Sequence, residues 1–82
     1  MTDTLSYKDV IQRIAYTVID DVRVVQYVCT IPIDNPEEMR IGITKLNPDM
    51  YKANRDICRS DNAAFEDSAY ELQEKILAEK SK

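Results

Sequence analysis

The chain has 82 residues, 44% hydrophobic and 32% charged, with 11 basic and 15 acidic side chains and a net charge of −4. That balance fits one soluble domain spanning 1–82 rather than a disordered tail, and its sign is wrong for a protein that neutralises phosphates, so no nucleic-acid partner is expected. The absence of His and the presence of a single glycine, Gly42, remove histidine acid–base chemistry, histidine metal sites and glycine-rich phosphate loops together.

Met1 to Ser6 contains no basic region followed by an apolar run, and no stretch approaches the roughly 18 apolar residues of a membrane helix. The expected location is the cytoplasm, with no membrane partner. Cys29 and Cys58 lie far apart and outside any CxxC pattern, so they read as reduced, buried packing residues, not a zinc or redox site.

A composition break divides the chain. Eleven of the 24 residues from Val10 to Ile33 are Val or Ile, whereas from Pro48 onward only Ile57 and Ile76 are, and five of the six alanines fall there. Branched side chains suit pleated strands, and Ala with Glu, Lys, Gln and Leu suits helices. The first half therefore reads as sheet and the second as helix.

Residues 7–19 carry two signals. Tyr7, Val10, Ile11, Ile14, Ala15 and Val18 keep helical spacing, and Ser6 with Asp9 resembles a capping box. Against a helix stand the branched run Thr17-Val18-Ile19 and the acidic pair Asp20-Asp21, which would sit at a helix C-terminus. The balance favours a strand at 14–19 turning at Asp20-Asp21, with cross-strand pairs Ile19–Val22, Thr17–Val24 and Tyr16–Val25. A short helical turn over Ser6 to Gln12 can precede it.

Val22 to Ile33 is the firmest strand. Alternation places Val22, Val24, Gln26, Val28 and Thr30 on one face and Arg23, Val25, Tyr27, Cys29 and Ile31 on the other. Apolar groups on both faces mean that both are covered, or that one face meets helices and the other meets another chain. Pro32 donates no ladder hydrogen bond, so pairing is expected to fade there or that end to lie on an edge. Asp34 to Glu38 then reads as a polar turn and Met39 to Leu46 as a third strand, in which Gly42 marks a bulge, a close backbone approach or a packing concession.

Asn47-Pro48-Asp49 combines an N-cap, a first-turn proline and a first-turn acid, predicting a helix over 48–59. Ser60-Asp61-Asn62 is expected to end it and to cap a second helix over 62–80, with a single continuous helix as the alternative. The second carries acids from Asp61 to Glu74, lysines at its end, and an apolar stripe of Phe65, Ala69, Leu72 and Ile76. The predicted fold is α+β: an antiparallel sheet of two to three strands (14–19, 22–33, 39–46) packed against one or two C-terminal helices (48–59, 62–80).

Few residues carry chemistry. Glu66, Asp67, Glu71 and Glu74 form an acidic helix face that usually means solvation. Lys45, Lys52, Arg55 and Arg59 form a basic segment that can also pair internally with Asp49 and Asp56. Asp20-Asp21 and Asp34, Glu37 and Glu38 lack the spacing of a calcium loop. Tyr7, Tyr16, Tyr27, Tyr51 and Tyr70 suit interface rims or core edges. No catalytic, cofactor-binding or metal-ligating residue is assigned.

A domain this small buries only about 60 to 65% of its unfolded surface, and here it has no disulfide framework or metal staple. The expectation is a non-enzymatic protein–protein interaction or assembly module that self-associates as a homodimer, with a further protein partner of unidentified nature. One alternative is a small acidic inhibitor or regulator of the phage or mobile-element type, presenting its acidic helix to a basic protein. Another is a ligand-binding or enzymatic oligomer.

Overall fold

A computed structural model describes residues 3–5 and 9–80. The chain forms strands β1 (Val10–Ile19), β2 (Val22–Pro32) and β3 (Arg40–Lys45), then helices α1 (Pro48–Ala53) and α2 (Arg55–Lys80), with a 3-10 turn at Pro36–Glu38 between β2 and β3. The strands make one antiparallel sheet in the order β1-β2-β3, and α2 packs across it, an α+β arrangement. The third strand is therefore present.

The acidic turn between β1 and β2 forms as expected. Asp20 and Asp21 have φ of 51° and 63°, the left-handed conformation that both central residues of a two-residue type I′ hairpin turn need. Asp tolerates that region better than most side chains because its short carboxylate can bond locally. The pair Ile19–Val22 forms beside it.

The next two expected pairs are shifted by one. Thr17 faces Val25 and Tyr16 faces Gln26, because a bulge in β2 sets Val18 opposite Arg23 and leaves Val24 as the extra residue. Val24 and Val25 are consequently both buried in the core, and Arg23 moves to the opposite face, over the Tyr16 ring at 4.3 Å. Strict alternation fails at this one residue. The bulged backbone is satisfied: the Val24 carbonyl accepts hydrogen bonds from the amides of Leu46 (2.8 Å) and Asn47 (3.1 Å), which ties the exit of β3 to the sheet.

β1 begins at Val10, so the helical turn over Ser6 to Gln12 is not formed at Val10–Gln12; Ser6 to Lys8, the capping box and Tyr7 lie outside the described residues. The helical spacing arose because β1 is apolar on both faces. Val10, Ile14 and Val18 point one way, Ile11, Ala15 and Ile19 the other, and together they imitate a period of 3.6.

Pro32 sits where its missing donor costs nothing. Its neighbour Ile33 donates to the Asp9 carbonyl at 3.0 Å, so the alternation of an antiparallel ladder directs the Pro32 nitrogen away from β1. On that side β3 has already ended at the pair Thr30–Arg40.

The core lies between the sheet and α2. Val25, Tyr27, Cys29 and Ile31 of β2, with Val24, meet Cys58, Phe65 and Ala69 of α2, and Leu72 and Ile76 extend the contact. The Tyr27 and Phe65 rings stack with centroids 5.5 Å apart, an arrangement that adds about 0.5–1.5 kcal/mol beyond the area buried.

Asn47 caps α1 as expected, its side chain accepting from the Met50 amide at 3.2 Å. The helix break falls at Asn54, not at Ser60-Asp61-Asn62, which are helical. Asn54 leaves the helical region at φ −131°, donates its side-chain amide to the Met50 carbonyl, and offers its own carbonyl to the Cys58 amide, closing α1 and opening α2. The predicted helices over 48–59 and 62–80 are thus a six-residue helix and a 26-residue one.

Candidate functional site

α2 covers one face of the sheet over β1 and β2. Its hold there is polar as well as apolar. Thr17, 1% exposed, donates to Asp61 at 2.8 Å, and its Oγ1 lies 2.8 Å from the Tyr27 hydroxyl in a hydrogen bond that either oxygen can donate; the Tyr27 hydroxyl donates to the Cys58 carbonyl at 3.2 Å. Burial pushes the Tyr27 phenol above its ordinary range, partly offset by the Thr17 hydrogen bond, and the nearby Cys58 and Asp61 add to the rise. Arg13 donates to Ser68 at 2.6 Å, Gln73 to the Pro36 carbonyl at 2.8 Å, and Lys80 to the Asp34 carbonyl, fastening the helix along its length.

Among the described residues no helix lies on the opposite face. It carries Val10, Gln12, Ile14, Tyr16 and Val18 from β1, Arg23, Gln26, Val28 and Thr30 from β2, and Arg40, Gly42 and Thr44 from β3. Ile14 is 49% exposed and Val18 55%. Gly42 lies here opposite Val28, and a methyl group added to it would meet nothing within 4 Å. It marks no bulge in β3, whose register with β2 is continuous from Lys45 to Arg40.

β1 is also an edge strand. The ladder that pairs Asp9 with Ile33 turns the backbone amides and carbonyls of Val10, Gln12, Ile14 and Tyr16 away from β2, off the side of the sheet. Beside that edge runs a groove of about 370 Å³, walled by Arg13 to Tyr16 on one side and by Asp61, Ala64, Phe65 and Ser68 on the other.

The other residues singled out from sequence disperse. Asp67, Glu71 and Glu74 are exposed on α2, Glu66 is half-buried, and Asp61 is turned inward onto Thr17. Lys52, Arg55 and Arg59 do not share one helix, because the Asn54 break puts Lys52 on α1 and the arginines on α2; Lys45 lies over the Tyr51 ring at 4.4 Å. Tyr16 stands on the uncovered face, Tyr27 is buried, Tyr51 half-buried and Tyr70 exposed. Cys29 and Cys58 are free and buried, and burial pushes both thiols up.

Among the described residues no group of three Asp, Glu or Cys side chains could hold a metal ion, and no helix is long and apolar enough to cross a membrane. Sequence reasoning did not single out β1 as the free edge and missed the role of Asp61; the signal for the first was the apolar character of both faces of residues 10–19. No family model, curated protein or solved structure matches this chain.

Proposed function

We propose that this protein is a non-enzymatic, cytoplasmic interaction module that assembles by self-association, with β1 at the contact. The observation that carries this reading is that β1 is half-exposed at Val10, Ile14, Tyr16 and Val18 while its edge backbone groups are directed away from β2, off the side of the sheet. Large apolar side chains grouped around an open sheet edge favour association, since burying them removes apolar area from water and pairing the edge satisfies its backbone.

Size supports the same reading. The chain exposes 6251 Å² and measures only 17 Å across its thinnest axis, one sheet layer and one helix layer. A compact monomer of 9.5 kDa exposes roughly 5,000 Å². The surplus is of the order of the ~800 Å² that each partner gives up in a standard interface.

Light scattering after size exclusion, over a range of concentrations, tests the proposal. The expected mass is that of a dimer, tending to the monomer on dilution; a 9.5 kDa mass at every concentration overturns it. Neutralising Asp67, Glu71 and Glu74 leaves the mass unchanged under this reading. Capture of a basic protein that is abolished by that change would favour the acidic-inhibitor alternative instead.

A further inference from the structure

Three features were candidates for a second role: the apolar groove between Ile11, Ile33 and Ile76, the exposed apolar group at Ile43 and Ile57, and the β1 edge. Only the edge specifies its occupant. We infer that the partner at β1 is the β1 strand of a second copy, paired antiparallel about a two-fold axis through Ile14, so that two three-stranded sheets continue as one of six strands. The inference rests on the self-association reading and adds its geometry.

The sequence of β1 is self-complementary about that point. With Ile14 opposite the partner's Ile14, the uncovered face sets Val10 against the partner's Val18 and Gln12 against the partner's Tyr16. On the helix side Arg13 meets the partner's Ala15, and Ile11 falls in register with the partner's Thr17, which α2 already covers. No charge lies directly opposite a like charge, the two Arg13 side chains being diagonal neighbours each held toward its own Ser68, and apolar side chains face apolar ones or aliphatic portions of their neighbours. A shift of one residue would put each copy's outward-directed amides against groups already bonded to β2, so register is restricted to steps of two.

The backbone agrees. Residues whose amides and carbonyls are directed off the edge, Val10, Gln12, Ile14 and Tyr16, are those that this register brings into hydrogen-bonded pairs. β1 lacks the usual devices that protect an edge: over its ten residues it contains no Pro, no Lys and no Gly, and its only charge, Arg13, is drawn to the helix side by Ser68. The groove between Arg13–Tyr16 and Ala64–Ser68 provides room under α2 for the helix-side groups of the incoming strand. There the partner's Arg13 approaches Ala15 in the groove that Asp61, bonded to Thr17, also lines.

The full-length protein tests this in two ways. In the wild type, amide hydrogen exchange of Gln12, Ile14 and Tyr16 is expected to slow as concentration is raised through the dimerisation range. Ile14→Pro removes a donor that β2 does not use and is expected to weaken the dimer about 100-fold, two ladder bonds and one side-chain pair being lost per dimer. Gly42→Lys, which fills the uncovered face over β3 and leaves the β1 edge open, is expected to change the dissociation constant by less than about threefold. A dimer in which those three amides exchange freely overturns edge pairing while leaving self-association standing. So does a dimer lost with Gly42→Lys and kept with Ile14→Pro, which is the signature of sheets stacked face to face. A monomer at all concentrations overturns the underlying reading, and the two failures are therefore distinct. Should Ile14→Pro fail to fold, the wild-type amide measurement alone decides.

Discussion

The two edges of this sheet are built differently. β3 is six residues long, begins and ends with exposed Arg40 and Lys45, and carries Gly42 at its centre, features that discourage another strand from pairing. β1 is ten residues long, carries one charge and keeps Val, Ile and Tyr along its uncovered side. A protein that merely tolerated an open edge would be expected to guard both. The two faces repeat the contrast: one is closed by α2 around a stacked Tyr27–Phe65 pair, the other holds half-exposed apolar groups with no layer above them among the described residues. Under the proposed self-association, folding and association fall to different side chains of the same strands, and variants should separate them.

The largest effect is expected on the closed face. Phe65→Ala removes the ring stacked on Tyr27 at the middle of α2, and loss of its burial with the cavity left behind should lower folding stability by about 3–5 kcal/mol. Chemical denaturation monitored by circular dichroism measures this; a loss below about 1 kcal/mol would mean that α2 does not depend on the stack for its place on the sheet.

How much of this was legible in the sequence depends on whether a feature was local. Asp20-Asp21 and Asn47-Pro48-Asp49 could be read because the turn and the cap each use side chains within a few residues of the backbone they satisfy. The bulge at Val24 could not, because the amides that its carbonyl meets, those of Leu46 and Asn47, lie far off in the chain. Ser60-Asp61-Asn62 looked like a helix break because such residues compete for backbone bonds. Asp61 instead finds Thr17, so it does not compete with the α2 backbone, and Asn54 supplies the break by bonding back to Met50. The open edge was half legible: β1 and β2 both displayed apolar residues on two faces, but the direction of their backbone groups appears only once the register is known.

Alkaline pH should weaken the closed face by a moderate amount. The Tyr27, Cys29 and Cys58 acids are all raised in the folded protein, chiefly by burial, so the native state holds these protons more tightly than the unfolded chain does. Their contribution is complete below the unfolded values and is lost as pH rises from about 8.5 for the thiols and about 10 for the phenol toward the higher folded values. Denaturation midpoints measured from pH 7 upward should be level at first and then fall, and Tyr27→Phe should remove the part of the decline that begins near pH 10. A midpoint that rises with pH over that range would contradict the burial of these groups.

The smallest effect on folding, and the most informative, is expected at Val18. It lies on the uncovered face at 55% exposure, next to the hairpin turn and opposite Arg23. Val18→Thr keeps a branched β-carbon, so strand propensity is nearly preserved, and an exposed site with no buried partner should change monomer stability by no more than about 0.5 kcal/mol. In the proposed dimer, by contrast, Val18 meets the partner's Val10 twice, once at each end of the paired strands. The same substitution should therefore raise the dissociation constant several-fold while the denaturation midpoint of dilute protein stays fixed. If both quantities moved together, the outer side of β1 would belong to the fold, and the division between a face that folds and an edge that associates would not hold.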